Sequence, residues 1–185
     1  FDKVYLGHEF QSDVLELRFY GSAFNRSDHS FWLSLNYAIL AGASRALDIK
    51  RDDIDGTVNK FAGQDFRSLV LFDNVPGGAG HVRKIANQLD KVFDAALSIA
   101  KNCSGCSKDQ SCNGCLRTFQ NQYAHDLLNR GLAADALQRI LESIYDLDDN
   151  GYSPLGISDS RLWLEQLFRR ATKIDLILDS LAPSS

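Results

Sequence analysis

The chain has 185 residues, 44% of them hydrophobic, enough apolar material to bury a substantial core in one domain with a small appendage. Its formal net charge of -4 excludes a freestanding domain that holds nucleic acid by bulk charge alone, although it leaves room for local basic patches. No apolar run approaches the roughly 20 residues that cross a bilayer, and the opening FDKVYLGHEF lacks the basic and apolar regions of a signal peptide; a soluble, cytoplasmic chain without membrane contact is expected.

The sequence begins at Phe1, contains no methionine and opens inside what reads as a structured segment, so it is expected to be a piece of a larger protein. His8, Glu9 and Asp13 cluster near this start. In VLELRFY, residues 14–20, Leu15, Leu17 and Phe19 share one face while Glu16 and Arg18 share the other, the period-two pattern of a half-buried strand. From Phe31 to Ile49, Phe31, Leu35, Ile39 and Leu47 recur at helical spacing, with Ser30 as the expected N-cap. IDGTVNKF and RSLVLFD read as two strands of a hairpin joined by AGQD, and the continuous apolar run of the second predicts a central position in the sheet.

After the turn PGGAG, one long helix is predicted through HVRKIANQLDKVFDAALSIAKN, where Val82, Ile85, Leu89, Val92, Phe93, Ala96 and Leu97 mark a stripe that should roof the sheet. Two further amphipathic helices are predicted at about Phe119 to Leu128 and Leu132 to Leu147, split by Asn129 and Gly131. DLDDNGYSPLG reads as a linker, followed by a helix around Leu162 to Ala171 and a short strand in KIDLIL. The resulting fold class is α+β, a small, mainly antiparallel sheet covered by helices. Residues 1–148 are assigned to one domain and 149–185 to a linker, helix and strand that begin another element.

All four cysteines fall within CSGCSKDQSCNGC, residues 103–115, whereas a disulfide framework would spread them along the chain. Cys103, Cys106, Cys112 and Cys115 form two CxxC knuckles, whose spacing lets paired sulfurs converge on one ion. A tetrahedral zinc site between helices is the expected outcome; an iron-sulfur cluster and paired disulfides are the alternatives. Gly105 and Gly114 take the third position of each knuckle, where positive φ would turn amides toward sulfur. Lys101, Lys108 and Arg117 are close enough in sequence to offset the charge of four thiolates or to touch phosphate. With no ligand position open to water, such a zinc ion would be structural.

The PGGAG turn links a strand to a helix and would aim free N–H groups at one point, making Gly77, Gly78, Gly80, Arg83 and Lys84, with Arg117, candidate anion or nucleic-acid contacts. It lacks the Lys-Ser/Thr ending of a P-loop and the G-x-G-x-x-G of a dinucleotide site, so nucleotide hydrolysis is not expected. The plainer reading is that the glycines permit a sharp turn with close packing. A hydrolytic second metal site built from His8, Glu9, Asp73 and His81 is the enzymatic alternative, although no H-E-x-x-H pair is present. His29, His125 and the RRATK stretch near the C-terminus offer weaker cases.

LGHEFQSDVLELRF, LNYAILAGASRALDIKRDDIDG, SLVLFDNVPGGAGHVRKIA and SCNGCLRTFQNQYAHDLLNRG, in that order, resemble the zinc-binding domain at the C-terminus of MrfA-type DNA repair helicases, over about residues 6–137. The same domain type occurs in a large subunit of a bacterial anti-phage defence system. The resemblance implies zinc bound by the four cysteines and a non-catalytic module, with an ATP-driven helicase core in the same chain or on a partner subunit and DNA as a further partner. A module that binds only proteins is the third reading.

Overall fold

A computed structural model describes residues 10–20, 22–24, 27–60, 67–149 and 174–177. Strand β1 (Val14–Tyr20) buries Leu15, Leu17 and Phe19, the face its alternation predicts. It pairs antiparallel with β3 (Arg67–Asp73), Leu17 opposite Leu69, and β3 pairs antiparallel with β2 (Ile54–Lys60). The sheet order is β2-β3-β1-β4, so β3 lies inside the sheet as its apolar run requires. The edge strand β4 (Ile174–Ile177) comes from KIDLIL and runs parallel to β1. The tail helix expected around 162–171 and the AGQD connection lie outside the described residues.

Helix α1 (His29–Leu47) is the centre of the molecule. Every residue from Phe31 to Leu40 is buried, because the helix packs against β2 on one side and against α3 (Leu89–Asn102) and α4 (Arg130–Asp149) on another. A helix apolar all round is a core helix, and this one is surrounded by protein. Its N-cap is Asp28, whose carboxylate accepts from the Ser30 N–H at 2.9 Å; Ser30 is inside the helix, and its hydroxyl donates to the Leu127 carbonyl. At Gly42 the α1 backbone meets α3 so closely that a Cβ would lie 2.4 Å from the Val92 carbonyl oxygen and 2.7 Å from Ala96 Cβ.

Two expected helices differ. The long helix predicted over 81–102 is broken into α2 (His81–Ala86) and α3, because Gln88 leaves helical geometry and its N–H closes a tight turn on the Ile85 carbonyl at 3.0 Å. Neither Pro nor Gly marks that break, and the apolar stripe continues across it. The helix predicted over Phe119 to Leu128 is only a 3-10 turn, Gln122–Leu127. Here side chains take backbone groups that a helix would use: buried Asn121 accepts from Thr118 N–H at 2.8 Å and donates to the Leu116 carbonyl at 2.9 Å. His125 Nε2 lies 3.0 Å from the Thr118 carbonyl and from Asn121 Oδ1.

Candidate metal centre

Helix α3 ends at Asn102 and delivers the chain to Cys103. The four Sγ atoms lie within 4.8 Å of one another. Cys103 is 3.9 Å from Cys106 and 3.5 Å from Cys112, while Cys115 is 3.8 Å from Cys106 and 3.9 Å from Cys112. Four sulfurs at about 2.3 Å from a central zinc would sit about 3.8 Å apart at the corners of a tetrahedron. The observed separations match those edges, fit one ion and rule out disulfide bonding between these free cysteines. The donor set is all thiol, soft and complete, as a structural zinc site requires. Among the described residues no other group of His, Cys, Asp or Glu converges on a common point.

The thiols are unequal. The Gly105 amide holds Cys103 below the ordinary thiol range by bonding its sulfur, a donor that favours the thiolate. Burial raises Cys106 and pushes Cys115 up to about 12. Gly105 and Gly114 do not have the positive φ expected of them: among the described glycines only Gly77, Gly78 and Gly80 do. Gly105 is needed for space, since a Cβ there would stand 3.0 Å from Cys112 Sγ.

Helix α4 docks onto this loop. Its first amides, Arg130 and Gly131, donate to the carbonyls of Gln110 at 3.0 Å and Lys108 at 2.8 Å, and Asn129 caps the helix by accepting from Leu132 N–H at 3.0 Å. A Cβ at Gly131 would lie 2.8 Å from the Lys108 carbonyl, so the glycine that reads in the sequence as a helix breaker is a point of close approach. Of the three cations expected around the loop, Lys101 reaches Gln138 at 3.4 Å, and Arg117 bonds Ser111 Oγ at 3.0 Å and the His125 carbonyl at 3.3 Å. The Lys108 contact comes from its backbone. The buried cation beside the loop is Arg130, which the sequence reading missed. A signal was present: an arginine in the first turn of a helix opposes the helix dipole and needs a reason.

At the PGGAG turn the chain supplies its own anion. The buried Asp73 carboxylate, at the end of β3, accepts from the amides of Ala79 (2.6 Å), His81 (3.0 Å) and Val82 (2.8 Å). These are the free N–H groups that made the turn an anion-site candidate. Arg83 pairs with Asp13 at 2.7 Å and Lys84 donates to the Leu47 carbonyl at 2.6 Å, where it satisfies the end of α1. Gly77 donates to the Gln11 carbonyl at 2.8 Å. For the hydrolase alternative, Asp73 is committed to these amides, His81 Nε2 is 3.9 Å from Asp53, and His8 and Glu9 lie outside the described residues.

Beyond the second knuckle, an open cleft of about 700 Å³ is lined by Asn113, Arg117, Thr118, Phe119, Gln122, His125 and Asp126. Phe119 is 82% exposed and Tyr123 76% exposed, and Leu127 is exposed as well. The Tyr123 hydroxyl is tied to that of Tyr37 in α1 at 2.7 Å, so the ring is displayed from a fixed base.

A closed set of four thiols, gathered in a loop clamped between two helices, defines a structural metal-binding domain. Residues 35–116, which include all four cysteines, match the family model of the MrfA Zn-binding domain, and this part of the chain is an MrfA-like zinc-binding domain whose cofactor is zinc. The chain is also similar to Druantia protein DruE of Escherichia coli (strain UMEA 4076-1), 31% identical over 159 residues, 76% of this chain; it spans only 8% of that relative's length. A more remote likeness is to a crystal structure of the DUF1998 helicase MrfA bound to DNA, with a TM-score of 0.45 and 16% identity over 63% of this chain and 15% of that one. Among the described residues no helix is long and apolar enough to cross a membrane.

Proposed function

We propose that Cys103, Cys106, Cys112 and Cys115 ligate one structural zinc ion, and that this chain is a non-catalytic, cytoplasmic module serving a DNA helicase core located elsewhere in the same polypeptide or on a partner subunit. The observation that carries the reading is the tetrahedral spacing of the four sulfurs in a loop to which α3 leads and onto which α4 docks. Zinc supplies folding energy there rather than a reactive water. The residues around it hold α3 and α4 in register against α1 and thereby fix the surface formed by residues 113–127. In this reading that surface seats the module on the helicase core and guides DNA past it, with Phe119 and Tyr123 offering faces for bases and Arg117 a cation for phosphate.

A second reading, a module that binds only protein, is favoured by the net charge of -4 and by the exposed Phe119, Tyr123 and Leu127. Two measurements on the zinc-loaded chain separate the possibilities. Metal analysis should give one zinc per chain, lost on replacement of any of the four cysteines; zinc retained by all four variants would overturn the ligand assignment. Fluorescence anisotropy with a single-stranded oligonucleotide should show binding that weakens steeply between about 50 and 200 mM salt. Absence of binding at low salt would leave the protein-only reading standing.

A further inference from the structure

Arg130 is 7% exposed, and each hydrogen bond of its guanidinium ends on a backbone carbonyl. Nη1 donates to Ala100 (2.8 Å) and Lys101 (3.3 Å) in the last turn of α3; Nη2 donates to Cys106 (3.0 Å) and Nε to Ser107 (3.1 Å) in the cysteine loop. Among the described residues no carboxylate pairs with this buried charge. An unpaired cation in the interior is strongly unfavourable, and its place at the start of α4 sets it against that helix's dipole as well. The carbonyls ending α3 offset part of this cost. The larger negative field at hand is the metal loop: four thiolates around one divalent ion leave two negative charges in excess.

We propose that Arg130 is the positioning residue and built-in counter-charge of the zinc site, its planar fork fixing the carbonyls of Cys106 and Ser107 while its charge offsets that of the four thiolates. This rests on the reading of the four cysteines as the ligand set. Arginine suits the positioning part of the role better than lysine, because a guanidinium reaches carbonyls of α3 and of the loop at once in a fixed geometry, whereas the counter-charge itself needs only a cation at this place. It also accounts for the arrangement of α4: its first two amides hold the carbonyls of Gln110 and Lys108, and its first side chain holds the adjoining carbonyls of Cys106 and Ser107.

The test is zinc affinity by chelator competition on the 185-residue chain, with the cobalt(II) absorption spectrum as a second readout, for wild type, Arg130→Gln and Arg130→Lys. Loss of a group that supports metal ligands weakens binding by about 10–100-fold, and that loss is expected for Arg130→Gln. Arg130→Lys keeps the charge and should recover most of it. The thiolate-to-cobalt charge-transfer band should move to longer wavelength in Arg130→Gln and stay in place in Arg130→Lys. Wild-type affinity and an unmoved band in Arg130→Gln would overturn the proposal, and so would Arg130→Lys falling as far as Arg130→Gln. If Arg130→Gln does not fold in zinc, Arg130→Lys decides: affinity within about tenfold of wild type supports the counter-charge, and a larger loss overturns it. A wild-type chain that takes up no zinc at all would instead sink the ligand assignment beneath it.

Discussion

Replacing Asp73 with asparagine should destabilise the chain by about 3–5 kcal/mol without removing its zinc. One carboxylate oxygen accepts from Ala79 and His81 and the other from Val82. Asparagine can keep its carbonyl oxygen on the first pair, but its NH2 must then face the Val82 amide, donor against donor. Hydrogen bonds to a charged acceptor contribute about 1.5–3 kcal/mol each and neutral ones about 0.5–1.5, so three strong bonds become two weaker ones and one buried amide is left unpaired. The favourable placement of a negative charge at the start of α2 is lost too. Urea unfolding of the zinc-loaded protein at neutral pH should show a lower midpoint with an unchanged slope, together with full metal content, because the cysteine loop uses none of these groups. A loss below about 1 kcal/mol, the scale of an ordinary surface substitution, would refute the view that the glycine turn is built around an internal anion.

Other perturbations probe the remaining joints. Cys112→Ser should release the metal and lower stability by several kcal/mol, since zinc binding is coupled to folding; metal loss with an unchanged melting temperature would contradict that. Gly42→Ala should cost about 1–3 kcal/mol as an overpacked contact, because its Cβ would meet the α3 backbone at Val92; a variant as stable as wild type in urea would show that α1 and α3 can separate freely. For the metal-free chain, burial pushes the Cys115 thiol up to about 12 and raises the Tyr37 hydroxyl. Both groups are neutral in the fold, so their contributions are present below the ordinary values of about 8.5 for the thiol and about 10 for the tyrosine, and lost as pH rises through the folded values. Urea midpoints in chelator should therefore fall from pH 7.5 to pH 10, and a rise would contradict the burial argument. Zinc-loaded protein should instead lose metal on acidification, as protons compete for sulfur.

Much of the fold was legible because burial imposes periodicity. β1 alternates cleanly, β3 carries the unbroken apolar run Leu69 to Phe72 because it lies inside the sheet, and the cysteine spacing specifies its own geometry. What escaped depends on groups distant in sequence or on competition within the backbone. Nothing near residue 87 announces the break between α2 and α3. Phe119, Tyr123 and Leu127 are spaced as a helical stripe, yet Asn121 and His125 take up backbone groups of residues 116–118 and those three side chains are exposed. The glycine turn read as a ligand cradle because its natural occupant, Asp73, appears in the sequence only as the last residue of a strand. Arg130 is hidden in the sequence because it begins a helix fifteen residues past the last cysteine, away from the lysines and arginine that flank the knuckles.

The central helix has consequences for how the module fails. Because residues Phe31 to Leu40 of α1 are all buried and α3 and α4 form part of the wall around the helix, a loop that lost its ion would loosen two panels at once and uncover apolar surface such as that where Gly42 meets Val92 and Ala96. Chelation or oxidation of the cysteines would then register as stickiness and protease sensitivity around α1, more than fifty residues from the sulfurs in sequence. On the proposed reading the ion would be the keystone whose removal opens the vault.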